Sequence, residues 1–286
     1  MDLLAPFTEF AFMQNALWGC LALSLSAPPV GVFLMLRRMS LTGDAMAHAI
    51  LPGAAIGYLV AGLSLGAMTL GGLVAGLAVV ALSGAVSRST VLREDTSLAA
   101  FYLLSLALGV VIISSQGRNV DLLHVLFGSV LALDGAAVAF LAGVAAVTLA
   151  TLAVLYRPLV LECLDPAFLR AVSRWSPVAH YGFLALLVLN LVAGFQALGT
   201  LLAVGMMILP AAAARFWVRE LQPLLRTAVG ISLLGSVAGL LLSYHLDAPS
   251  GPSIVLTLGG LYLLSVLAGP RGVLRARRVP AHHLKA

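Results

Sequence analysis

Nine stretches of this chain are apolar almost without a break: 11–36, 45–62, 66–87, 98–115, 136–156, 180–198, 200–217, 227–246 and 253–269. A bilayer core about 30 Å thick takes roughly 20 residues of helix to cross, and each stretch is near that length. Inside hydrocarbon the backbone must satisfy its own hydrogen bonds, which leaves helices or a closed barrel. Barrel strands alternate apolar and polar residues, and these runs do not. The sequence therefore predicts an all-α, polytopic transmembrane bundle of about eight or nine spans, filling residues 1–270. Composition agrees. Charged residues make up 9% of the chain and hydrophobic ones 61%, whereas a soluble domain carries about 25% charged residues.

The basic residues orient the bundle. Arg37 and Arg38, Arg88 and Arg93, Arg157, Arg170 and Arg174, Arg215, Arg219 and Arg226, and the tail from Arg271 to Lys285 all fall on one side of the predicted spans. Of the 16 Lys and Arg residues only Arg118 falls opposite. Short cytoplasmic loops carry the excess of Lys and Arg, so the basic side is cytoplasmic, the amino terminus outside and the carboxy terminus inside. The formal charge of +5 is then a topology signal beside anionic lipid, not a nucleic-acid signal. Residues 157–178 form the longest inner connection, and 271–286 read as a basic, disordered cytoplasmic tail. The stretch 120–134 is too short to span and reads as an outer interfacial helix or a re-entrant hairpin. With no basic n-region, and with Asp2 and Glu9 ahead of it, the first run reads as an uncleaved span of a multi-pass plasma-membrane protein.

Enzyme signatures are missing. The sequence holds no HExxH, no GxSxG and no Walker A lysine motif. ATP hydrolysis, if it drives this protein, belongs to another subunit. Cys20 and Cys163 lie in a span and in an inner loop, too far apart in topology to pair.

The most unusual intramembrane feature is Gly43-Asp44-Ala45-Met46-Ala47-His48-Ala49. Residues four apart share a helical face. A carboxylate and an imidazole so placed can both reach one first-row divalent ion, each at roughly 2.0–2.2 Å. An ionisable group within a span is costly and asks for a reason. The alternative is structural: Asp44 caps the second span and His48 bonds a carbonyl. Other polar residues at depth are Asn190 and Gln196, which either join helices or face a pathway. His245 and Asp247, at the outer end of the eighth span, either attract cations or are simply solvated. Asp165 followed by Pro166 reads as an N-cap and first helical residue, opening a short helix of about 165–173. Phe168, Leu169 and Val172 give it an apolar face for a cytoplasmic partner or for lipid headgroups. Pro28-Pro29, Pro52 and Pro210 interrupt apolar runs and either kink helices or line a pathway. Gly62 with Gly66, and Gly72 with Gly76, have the spacing that lets membrane helices approach closely.

Arg37-Arg38-Met39-Ser40-Leu41-Thr42-Gly43-Asp44-Ala45-Met46-Ala47-His48-Ala49-Ile50-Leu51-Pro52-Gly53 resembles the signature of permease subunits of metal-ion ABC importers, the zinc/manganese/iron family. So do residues 199–215, the outer turn Pro249-Ser250-Gly251-Pro252-Ser253-Ile254-Val255 and the run Leu126-Phe127-Gly128. The likeness covers roughly residues 10–270. It implies a homodimeric permease, cytoplasmic ATP-binding-cassette ATPase subunits and an extracytoplasmic metal-binding protein. It implies that Asp44 and His48 contact a transported divalent ion, with no permanently bound cofactor. It makes the segment from Asp165 to Arg174, including Pro166, Phe168, Leu169 and Arg170, the helix that couples to the ATPase. Manganese, zinc and iron all suit an Asp and a His, and Leu51-Pro52-Gly53 looks slightly more like the manganese permeases. The rivals are a permease for a metal chelate such as a siderophore or corrinoid, a proton-coupled secondary transporter and, most weakly, an intramembrane enzyme.

Overall fold

The computed structural model describes residues 5–62, 64–92, 94–115 and 130–276. Among them every regular element is helical. A short α1 (Ala5–Glu9) leads into α2 (Ala11–Leu36), followed by α3 (Ser40–Ala49), α4 (Leu51–Ala61), α5 (Leu65–Ser89) and α6 (Glu94–Ser115). After a 3-10 turn at Val130–Ala132 come α7 (Gly135–Leu164), α8 (Pro166–Val172), α9 (Ser176–Leu198) and α10 (Thr200–Ala214). The chain then runs through α11 (Leu221–Leu246), α12 (Ser250–Ala268) and α13 (Val273–Ala276). Among the described residues eight helices are long and apolar enough to cross a bilayer, with α3 and α4 counting as one span, and α10 is a ninth, shorter apolar helix.

α2 is the axis. It is the most buried span and packs against α7, α10 and α11. Its Phe33 contacts Phe183 of α9 and Tyr156 of α7 edge-on, at ring-centroid distances of 6.2 Å and 6.5 Å, a favoured aromatic geometry. In the same axis Ser24 meets Ser232 and Ser236 of α11 at 3.0 Å and 3.2 Å, so these buried hydroxyls satisfy one another. Pro28 and Pro29 lie within α2 and are both buried, yet the helix runs through them. Neighbouring helices sustain such a site in membrane proteins.

α3 to α6 form a second group, joined to the axis mainly through α9. The close approach here is between α4 and α5. A Cβ on Gly53 would collide with the Gly71 carbonyl, and one on Gly57 with that of Ala67. The sequence-predicted pairs behave differently. Gly62 ends α4 with a φ of +64° and meets nothing, and Gly66 also faces open space. Gly62-x3-Gly66 is therefore a helix stop, not a packing seam. Gly76 does pack tightly, against Val188 of α9.

Two ends of the bundle are distinct. The end of α2, the end of α10 and the start of α11 share one small apolar cluster around Val32, Ala214 and Leu224. Arg37, Arg38 and Arg215 follow these helix ends, and Arg271 bonds back to the Phe216 carbonyl at 3.2 Å. At the opposite end Asn15 donates to the Leu133 carbonyl at 3.1 Å, and Asp134 caps α7 through Ala137 N–H at 2.8 Å. Helix starts lie earlier than apolarity predicted: α6 opens at Glu94 and α11 at Leu221. Acidic or polar first turns suit a helix N-terminus but do not register as apolar. Most of 120–134 and the tail beyond 276 lie outside the described residues.

Candidate functional site

Asp44 and His48 sit on α3, and the reason they do is the break that follows. Pro52 has no N–H to give back to the preceding turn, and the regular helix is interrupted at Ile50 between α3 and α4. Ser105 of α6 donates to the Ala49 carbonyl at 2.8 Å, supplying a hydrogen bond at the break. The segment before it is therefore a separate ten-residue helix. Met46, Ala47 and Ala49 turn into the bundle. Asp44 and His48 are left on another face.

Asp44 does not cap α3. The helix starts at Ser40, Met39 holds the cap position with no side-chain bond, and Asp44 lies beyond the first turn. The carboxylate is 67% exposed and the imidazole 32%. His48 Nε2 and Asp44 Oδ1 stand 4.0 Å apart, too far for a hydrogen bond. That gap is within the sum of two metal–ligand bonds of roughly 2.0–2.2 Å each, so one ion fits between them. Asp44 also lines a cavity of about 470 Å³ between α3 and α6, together with Thr42, Asp95 and Tyr102. Among the described residues no group of three or more His, Cys, Asp or Glu side chains closes into a complete metal cage. The pair is an open two-donor arrangement, with Asp44 on the cavity wall and His48 one turn along the helix.

The second constellation is at the basic end and was not anticipated. A cavity of about 970 Å³ opens there, lined by Arg37, Glu94, Asp95, Glu162, His180 and Tyr181 among others. His180 of α9 is part of its lining. Its Nε2 donates to Glu94 Oε1 of α6 at 2.9 Å, and its Nδ1 accepts from the Arg37 guanidinium at the end of α2. A guanidinium only donates, so this arrangement fixes the proton of a neutral His180 on Nε2. Arg37 also lies over the Phe183 ring, 5.1 Å from its centroid, a cation–π distance. One helical turn below His180, Ser176 donates to the buried Glu162 of α7 at 3.1 Å. No linear pattern joins residues 37, 94, 162, 176 and 180. The only hint in the sequence is that each is polar or charged within a turn or so of a span's edge.

Between Glu162 and Ser176 runs α8. Asp165 caps it as predicted, accepting from Phe168 N–H at 2.9 Å, with Pro166 in the first helical position. The predicted apolar face needs correction. Phe168 is 53% exposed and Val172 also faces out, but Leu169 is 3% exposed and anchors the helix inward. Arg170 is in the same helix.

The remaining candidates are placed as follows. Asn190 is 1% exposed. Its amide donates to Thr148 Oγ1 of α7 at 2.8 Å and to the Leu186 carbonyl at 2.9 Å, which joins two helices. Gln196 belongs to α9 near its end. His245 is exposed and its Nδ1 bonds the Leu241 carbonyl at 2.8 Å. Asp247 ends α11 in a left-handed conformation, φ 50°. Both act locally at a helix end. Cys20 and Cys163 are both free.

These features define a polytopic helical membrane protein with an open carboxylate–imidazole pair and a short helix between two spans. Residues 9–269 match the ABC 3 transport family, and the chain belongs to that family. It is 34% identical over 263 residues to the manganese import system permease protein ScaB of Streptococcus parasanguinis, covering 92% of each chain. It is 33% identical over 268 residues to the manganese transport system membrane protein MntC of Halalkalibacterium halodurans, covering 93% of this chain and 90% of the other. Among solved structures it is similar to PsaBC from Streptococcus pneumoniae in complex with Fab. There the TM-score is 0.83 and the identity 31%, over 96% of this chain and 99% of that one. The chain is thus a multi-pass plasma-membrane permease subunit of a metal-ion ABC importer, in which a separate subunit hydrolyses ATP.

Proposed function

We propose that this chain conducts manganese inward, and that Asp44 and His48 hold the ion in transit. The observation that carries this reading is the pair itself: two donors one helical turn apart, 4.0 Å from each other, with Asp44 lining a cavity. A carboxylate oxygen and an imidazole nitrogen suit manganese, and equally zinc or iron. The relatives named as manganese permeases favour the first of the three. Two donors hold an ion loosely, and an ion that must leave again needs a loose site.

The working unit is a homodimer. Asp44 is 67% exposed on a span, where a carboxylate needs water or a polar partner. A second copy facing it brings a second Asp44–His48 pair to the ion. The basic end is cytoplasmic, and α8 docks there on the ATPase through Phe168 and Val172. An extracytoplasmic binding protein delivers the ion at the opposite end, and ATP-driven closure of the ATPase pair alternates access between the two.

The test is uptake by the permease–ATPase complex in proteoliposomes, comparing manganese, zinc and iron. ATP-dependent manganese entry that disappears in Asp44→Asn and in His48→Ala is the expected result. Wild-type uptake by either variant at equal protein level removes the pair from the pathway. Preference for zinc or iron over manganese overturns the choice of metal.

A further inference from the structure

We infer that His180 is a positioning residue that transmits movement of α8 to the cargo pair. This rests on the proposed docking of α8 to the ATPase and of the ion to Asp44 and His48. Both ends of the α8 connection are tied together, because Ser176 at the start of α9 donates to Glu162 near the end of α7. Glu162 is buried, so this bond is shielded from water, and a shift of α8 moves the first turn of α9 with it. His180 is one turn further along the same helix face. There it grips two other elements at once, Glu94 at the start of α6 and Arg37 at the end of α2.

Both grips lead to α3. Arg37 precedes α3 by three residues, and Met39, the residue at its cap, is buried. Asp95, next to Glu94, lines the cavity that Asp44 also lines. An imidazole suits this junction because one ring nitrogen accepts while the other donates. The ring thus joins a cation and an anion from separate helices in a fixed plane. The Arg37 Nη1 atom is buried with no hydrogen-bond partner among the described residues. A part-buried guanidinium so held is costly to displace partway, and its position is set by His180 and the Phe183 ring.

The experiment is a ratio: manganese ions taken up per ATP hydrolysed by the full permease–ATPase complex in proteoliposomes. In His180→Ala the ATPase should keep turning over while the ratio falls about tenfold, within the usual range for coupling between two sites. His180→Gln can still accept from Arg37 and donate to Glu94, and it should restore most of the ratio. An unchanged ratio in His180→Ala overturns the inference. So does a parallel fall of uptake and hydrolysis, or a ratio in His180→Gln as low as in the alanine variant. Co-purification of the ATPase with the permease reports assembly. If His180→Ala does not assemble, the same ratio in Glu94→Ala decides, with a wild-type value overturning the inference. Failure of the cargo reading looks different: Asp44→Asn would transport normally whatever His180 does.

Discussion

Among the described residues two carboxylate–imidazole pairs occur, and they are built in opposite ways. Asp44 and His48 share one short helix, stand 4.0 Å apart and leave the carboxylate mostly exposed. Glu94 and His180 come from helices α6 and α9, meet at 2.9 Å and have Arg37 on the far side of the ring. The first pair is uncommitted. Its lone pairs point at nothing that the described chain supplies, so they remain available to a cation. The second pair is committed: its hydrogen-bonding capacity is used in holding three helices together. The same two functional groups are left open in one place and locked together in the other, and the separation between their atoms tells them apart.

This contrast breaks first at Asp44. Asp44→Asn removes the charge from the open pair while keeping its shape. Uptake should fall by about 100-fold, since even indirect partners of metal ligands cost 10–100-fold when lost. Radiolabelled manganese entry at matched protein level measures it, and a loss under threefold would make the two pairs alike. The next test concerns what keeps the open pair open. α4 is locked to α5 where Gly53 abuts the Gly71 carbonyl. Gly53→Leu forces a side chain into that backbone contact and should destabilise the subunit by about 1–3 kcal/mol. A lower midpoint in thermal unfolding in detergent is the readout, and an unchanged midpoint refutes the tight seam. Asp165→Ala removes the cap of α8 at the committed end. The expected loss is about 1 kcal/mol of local helix stability, seen as faster amide exchange over 166–172 with spans unaffected. The smallest effect belongs to His245→Ala. That imidazole is exposed and bonds only its own helix, so manganese uptake should stay within about twofold. A larger loss would make His245 a third functional imidazole.

Much of the fold was legible because lipid imposes long apolar runs. The break at Pro52, the cap at Asp165 and the pairing of Asp44 with His48 are local, and local spacing reveals them. Helix starts such as Glu94 were not legible, since an acidic first turn looks like loop until its electrostatics are counted. The prolines divide instructively. Pro52 sits in the first turn of α4, just past the end of α3, whereas Pro28 and Pro29 lie within one helix, because neighbours packed around α2 hold it together. Gly62 carried the small-residue spacing but ends its helix, and Gly53 met Gly71 without advertising it. The committed pair was invisible for the plainest reason. Glu94 and His180 are 86 positions apart by number, and nothing in either neighbourhood names the other.

The break at Ile50 has a mechanical consequence. With α4 fastened to α5, any displacement of Asp44 relative to that pair must be absorbed at the break, which makes α3 a lever with its fulcrum at Ile50. Six residues separate the carboxylate from the fulcrum, an arm of about 9 Å at 1.5 Å per residue. A tilt of about 20°, the threshold for calling a bend in a helix sharp, swings the carboxylate by about 3 Å. That sweep exceeds the length of a metal–oxygen bond, so on the proposed function a modest rotation of one short helix would be enough to make or release a ligand.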